Sequence, residues 1–154
     1  MAGSANFQPS GRAMGRILHS SKDVQDVLRA AKRVAVLGIK PESQRSAPAF
    51  YVPNYLARVG YEIVPVPVYY PDVTEILGKK VYRSLTEIPG DIDLVVVFRK
   101  SNDIPPHVDD IIAKHPKAVW FQAGIRHDDA AQRLADAGID VVQDRCTMVE
   151  HRGI

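Results

Sequence analysis

Five short apolar runs, each separated from the next by a segment of helical length, constrain this chain more than any other feature. They are Val34-Ala35-Val36-Leu37-Gly38, Tyr61 to Val66, Leu94 to Phe98, Ala118 to Phe121 and Ile139 to Val142. Runs without polar alternation read as strands buried on both faces, and helices between them make the crossovers of a parallel sheet. The pattern predicts an α/β domain: a doubly wound, mainly parallel sheet of about five strands with helices on both faces.

The intervening segments carry their own punctuation. Ser20 or Ser21 can cap a first helix that places Val24, Val27 and Leu28 on one face. After the first strand a helix is expected to start near Phe50 to Pro53, because a proline deeper inside costs about 3 kcal/mol, and to end at Gly60. Another starts around Asp103, accepts Pro105 and Pro106 in its first turn, buries Val108, Ile111 and Ile112, and stops at His115 before Pro116. A third, from His127 to Ala137, has Asp128 and Asp129 at its positive end and Gly138 as its stop. Tyr69 to Pro89 reads as an elaborated crossover, with Thr74 to Leu77 as one helical turn and Ser84 to Ile88 as another.

Composition bounds the remaining choices. With 154 residues, 45% hydrophobic and 25% charged, the chain suits one globular domain. Residues 1–20 have the composition of a flexible tail, which leaves 21–154 as the domain. A formal charge of only +2, with no long like-charge block, lacks the electrostatic footprint of nonspecific nucleic-acid binding. No apolar run reaches membrane length, none resembles a secretion signal, and a single cysteine offers no internal disulfide, so a cytoplasmic location without a membrane role is expected. His107, His115 and His127 show no metal-ligand spacing, so no metal is expected.

In such sheets ligands bind beyond the carboxyl ends of the strands. Those ends read Gly38-Ile39-Lys40, Pro65-Val66-Pro67, Phe98-Arg99-Lys100, Gln122-Ala123-Gly124-Ile125-Arg126 and Gln143-Asp144-Arg145-Cys146. Lys40, Arg45, Arg99, Arg126 and Arg145 near one rim point to an anionic ligand such as a nucleotide diphosphate, although loops carry basic residues for solvation alone. The dinucleotide fingerprint fails, because Lys40 and Ser43 stand where its second and third glycines belong and the second strand ends without an acid. A phosphate loop of the Gly-Lys-Ser/Thr type is also missing. What remains is a nucleotide held by a longer loop containing Ser43, Gln44, Arg45 and Ser46, with Pro65 and Pro67 offering flat apolar rings to an adenine.

Several segments, in order along the chain, resemble the small stand-alone CoA-binding proteins, themselves similar to the N-terminal domain of the succinyl-CoA synthetase alpha subunit. They are Val34 to Gly38, Arg45-Ser46, Tyr51-Val52-Pro53 with Tyr55-Leu56, Gly60-Tyr61, Pro65-Val66, Val97-Phe98-Arg99, Val119-Trp120-Phe121-Gln122, Gly124-Ile125-Arg126, and Asp144-Arg145-Cys146 to Glu150-His151. The resemblance implies a Rossmann-like sheet that binds coenzyme A or an acyl-CoA. It puts the loop after Gly38 on the phosphates and the second and third strand ends around the adenosine. Carried onto this sequence it nominates Gly38, Ile39, Lys40, Arg45, Ser46, Pro65, Val66, Phe98 and Arg99. Pro67, Gln122, Gly124, Ile125, Arg126, Arg145 and Cys146 join them from the strand ends. Ile39-Lys40 replaces the family's small residues and Pro67 its usual Asn, so Ile39 is expected to add bulk where a phosphate or ribose approaches.

No ligase activity follows, because the chain has no room for that enzyme's phosphohistidine domain. The first reading is a non-catalytic carrier, sensor or regulator, in which Cys146 could exchange into a mixed disulfide with CoA. The second is a thioester-processing enzyme, with Cys146 as nucleophile and His151 as base. A third is a binder of a different adenine nucleotide, and a fourth a subunit that meets a protein partner through Tyr51, Tyr69, Tyr70 and Tyr82, aromatics that can equally wall the crevice.

Overall fold

A computed structural model describes residues 14–154. Its centre is a five-stranded, all-parallel sheet in the order β2-β1-β5-β6-β7, from β1 (Arg33–Leu37), β2 (Glu62–Val66), β5 (Leu94–Val97), β6 (Ala118–Phe121) and β7 (Asp140–Val142). This is the architecture that the apolar runs predict. Side chains alternate across each strand, so both faces need cover. Ala35, Leu37, Val95, Val97 and Phe121 pack with Val108 and Ile111 of α3 (Val108–Lys114) and Leu134 of α4 (Asp128–Asp136). Val34, Val36, Val96 and Trp120 face the other way, onto Val24 and Leu28 of α1 (Ser21–Ala30) and Val52 and Leu56 of α2 (Pro48–Arg58). The short α5 (Thr147–Arg152) sits against α1 and α2.

Local chemistry sets the element ends. Ser20 caps α1 by accepting the Asp23 amide at 3.1 Å. His127 caps α4 through Nδ1, which accepts the Ala130 amide at 3.1 Å. Pro105 and Pro106 lie in a 3-10 turn before α3 rather than in its first turn, so the α-helix proper begins at Val108.

Three further expectations need correction. Helix α2 starts at Pro48, with Pro53 inside it. The missing Pro53 amide leaves the Ala49 carbonyl without its helical donor, and the Lys40 amide fills that place at 3.1 Å. Thr74 to Leu77 is not a helical turn. Glu75–Ile76 (β3) pairs antiparallel with Lys79–Lys80 (β4) through Leu77 and Gly78, both at positive φ (54° and 71°) as a tight two-residue hairpin turn requires. Finally, the tail assigned to 1–20 ends earlier. Ile17 bridges Val141 in parallel, the Leu18 amide donates to the Val141 carbonyl at 2.8 Å, and Leu18 is buried. This segment shields the β7 edge of the sheet. The rest of the expected tail, residues 1–13, lies outside the described residues.

Counting only the five sheet strands in chain order, the second is at one edge and the first lies between the second and third. Strand order therefore reverses between β1 and β5, and the crevice of such a sheet opens at the carboxyl ends of that pair.

Candidate functional site

A cleft of about 500 Å³ opens there. Its floor is the row of strand ends, kept in step by amides that continue the ladder: Gly38 to the Val66 carbonyl at 2.8 Å, Phe98 to Leu37 at 2.8 Å and Gln122 to Val97 at 3.3 Å. Gly38 has φ +87°, and a Cβ built on it would lie 2.2 Å from the Phe98 carbonyl oxygen. The glycine is thus required by the close approach of two strand ends. One wall is the start of α2, from Ala47 to Val52, and the opposite one is the loop Gln122 to Ile125 with Cys146. Lys40, Arg99 and Lys100 supply the cationic groups.

The far wall is fixed by its own network. Asp144, at φ +56°, accepts the Gly124 amide at 2.6 Å and donates its own amide to the Ile125 carbonyl at 3.1 Å. The buried Gln122 side chain accepts the Thr147 amide at 3.0 Å and so caps α5. The Trp120 indole donates to the Arg145 carbonyl at 2.7 Å, while the Arg145 guanidinium holds the His19 carbonyl and lies 3.5 Å from Glu150. The Asp-Arg-Cys stretch is therefore a clasp that joins β6, α5 and the N-terminal segment.

Arg99 is the most constrained cation of the cleft. Its side chain is 15% exposed, Nη2 lies 3.7 Å from Asp103, and the guanidinium stands 5.5 Å from the centre of the Tyr69 ring. Its Nε is buried with no hydrogen-bond partner in the protein. Nearby, burial and then the Arg99 charge push the His107 pKa below its ordinary value, against the pull of Asp110 and Asp103.

Of the residues nominated from sequence, Gly38, Lys40, Phe98, Arg99, Gln122, Gly124, Ile125 and Cys146 line this one cleft. Ile39 does not obstruct it: the side chain is 1% exposed and packs in the core with Val52, Leu56 and Trp120. Pro65, Val66 and Pro67 are buried, and none lines the cleft, so the proline rings present no open face to a base. Arg45 and Ser46 are exposed in the preceding loop, with the Arg45 guanidinium 5.5 Å from the centre of the Phe50 ring. Arg126 and Arg145 flank a separate recess of about 170 Å³ with His19.

Lys100 and Ala123, read as strand-end residues but not nominated, and Tyr51 also line the cleft, while Ala47, Pro48, Ala49 and Val52 were missed as cleft residues. Pro48 was the available signal, since proline favours the first turn of a helix and α2 starts directly above the strand ends. Cys146 and His151 do not form a pair. His151 Nδ1 bonds the Tyr55 hydroxyl at 2.7 Å, its ring meets Tyr55 and Tyr61 edge-on, and it lines a different cleft beside Leu28 and Gly60. Of the four tyrosines, Tyr51 lines the cleft, Tyr69 meets the Arg99 guanidinium and Tyr82 packs on the core. Among the described residues no group of three or more His, Cys, Asp or Glu could hold a metal ion, and no helix is long and apolar enough to cross a membrane.

Comparison with known proteins agrees with this fold. The chain is 34% identical over 132 residues to the uncharacterized protein YneT of Bacillus subtilis (strain 168), covering 86% of this chain and 94% of that one. A Thermus thermophilus structure superposes with a TM-score of 0.79 at 37% identity, over 88% of this chain and 98% of that chain. One from Pyrococcus horikoshii OT3 gives 0.78 at 32% identity, over 92% and 97%. The family model of the CoA binding domain matches residues 32–152, from just before β1 to the end of α5, and the chain belongs to that family.

Proposed function

We propose that this protein binds coenzyme A, free or acylated, in the cleft at the β1 and β5 carboxyl ends, as a carrier, sensor or regulator without chemistry of its own. One observation carries the reading: Arg99 lines the cleft with a buried Nε that lacks an acceptor. Leaving such a donor unpaired costs about 1–3 kcal/mol, and an anionic oxygen would satisfy it with a charge-assisted bond. Lys40 and Lys100 add charge for a diphosphate, and Val52, Phe98 and Ile125 give an apolar surface to a pantetheine arm. Cys146 lies in the same cleft, where that arm's thiol can reach it. In exchange with CoA disulfide, the Cys146 thiolate would attack one sulfur, the old S–S bond would break as the new one forms, and a CoA thiolate would leave.

Titration calorimetry with CoA tests the reading. Arg99→Ala should weaken binding roughly 10- to 150-fold, the loss of a charge-assisted hydrogen bond. Wild-type protein that gives no binding isotherm with CoA would end the proposal, and equal affinity in the variant would remove Arg99 from the site.

A further inference from the structure

We propose that Tyr69 is the stacking platform for the planar base of the nucleotide, and so the residue that makes the site discriminate a nucleotide from a bare phosphate ester. The inference rests on the CoA reading above and adds to it a residue outside the cleft lining. Tyr69 follows the end of β2 and is 65% exposed, more than any other large apolar or aromatic side chain among the described residues. Its contact with Arg99 places it at the cleft rim, with the guanidinium over the ring.

The backbone that carries this ring is held by unusual means. Arg83 donates to four carbonyls of one loop: Tyr69 at 3.2 Å, Tyr70 at 3.0 Å, Pro71 at 3.2 Å and Val73 at 2.7 Å. Between them Tyr70 takes φ +66°, a conformation that bulky residues rarely adopt. A strained turn pinned by one arginine, with an aromatic ring presented to solvent, has no packing purpose that the core requires. It does suit a planar ligand, because a ring on an anchored backbone, backed by the Arg99 guanidinium, offers a stacking face and every base has a π-face. The proline rings that sequence offered for this task are buried. Tyr69 is the flat surface left beside the phosphate-seeking Arg99.

The test compares two probes on three proteins by calorimetry: CoA, and 4′-phosphopantetheine, which carries the arm and one phosphate but no base. Tyr69→Ala should weaken CoA roughly 5- to 100-fold, the usual effect of losing one base–aromatic stack, and leave 4′-phosphopantetheine unchanged. Tyr69→Phe should restore CoA affinity to within about twofold, since the ring face is retained. Unchanged CoA binding in Tyr69→Ala would overturn the proposal. So would an equal loss with both probes, which would mean that Tyr69 acts only by positioning Arg99, or a Phe variant as weak as the Ala one. If wild-type protein binds neither probe, the CoA reading itself fails; if it binds both equally, the base is not read and only this inference falls.

Discussion

Replacing Gly38 by alanine isolates the packing constraint that shapes the cleft. The new Cβ would sit 2.2 Å from the Phe98 carbonyl oxygen, 3.0 Å from its carbon and 3.3 Å from Arg99 Cδ, at a φ of +87°. Ordinary contact begins near 3.4 Å, so the ends of β1 and β5 must part by about an ångström. Two costs follow: about 1–2 kcal/mol for an L-residue in a left-handed conformation, and about 1–3 kcal/mol for the overpacking. The expected loss is about 2–5 kcal/mol. Gly124→Ala is the internal control, because it has φ +81° but nothing within 4 Å of the added carbon, so it should lose only the conformational part. Urea unfolding followed by the fluorescence of Trp120, the single tryptophan and fully buried, reports both variants on one scale. Since the ladder bond from Phe98 to Leu37 lies at the strained point, Gly38→Ala should also weaken CoA. A Gly38→Ala loss no larger than that of Gly124→Ala would refute the close-approach argument.

Two further outcomes are expected. Incubation with CoA disulfide should add one CoA-sized mass to the intact protein, reversed by dithiothreitol and absent in Cys146→Ser; an unmodified wild-type mass would remove Cys146 from any exchange chemistry. Burial raises the Asp93 pKa, but the Arg33 and Lys32 amides at 2.9 and 3.0 Å and then Lys117 outweigh it and hold the carboxyl below its ordinary value. A lowered folded-state pKa stabilises above the unfolded value and is lost as pH falls through the folded one, so Asp93→Asn should cost about 1–2 kcal/mol at pH 7 and progressively less below about pH 4. A gap between wild type and variant that stays constant down to pH 2 would show that the carboxylate charge is not involved.

Much of the architecture was legible because it depends on local pattern. The strand runs are apolar without alternation, and a strand covered on both faces needs that; Val34 and Val36 pack on one side of the sheet, Ala35 and Leu37 on the other. Ser20 before α1 worked the same way, through a hydroxyl that reaches an amide three residues on. The misreadings fall where a distant partner alters a local rule. Pro53 is tolerated inside α2 because the Lys40 amide occupies the carbonyl that it leaves, and no spacing within the helix announces that. The turn at Leu77-Gly78 carried only half of its usual signal, since leucine rarely takes positive φ.

The amino-acid sequence by itself determined a parallel sheet with a cationic, amide-rich rim at its strand ends, because hydrophobic period and charge are properties of neighbouring residues. Only the tertiary structure decided which rim residues share the cleft. It turned Ile39 into the core, left Arg45 outside on Phe50, bound Arg145 into a clasp and set Arg99 against the Tyr69 ring. The reason is that a loop has no period of its own: the direction of each side chain there is fixed by what the rest of the fold places beside it.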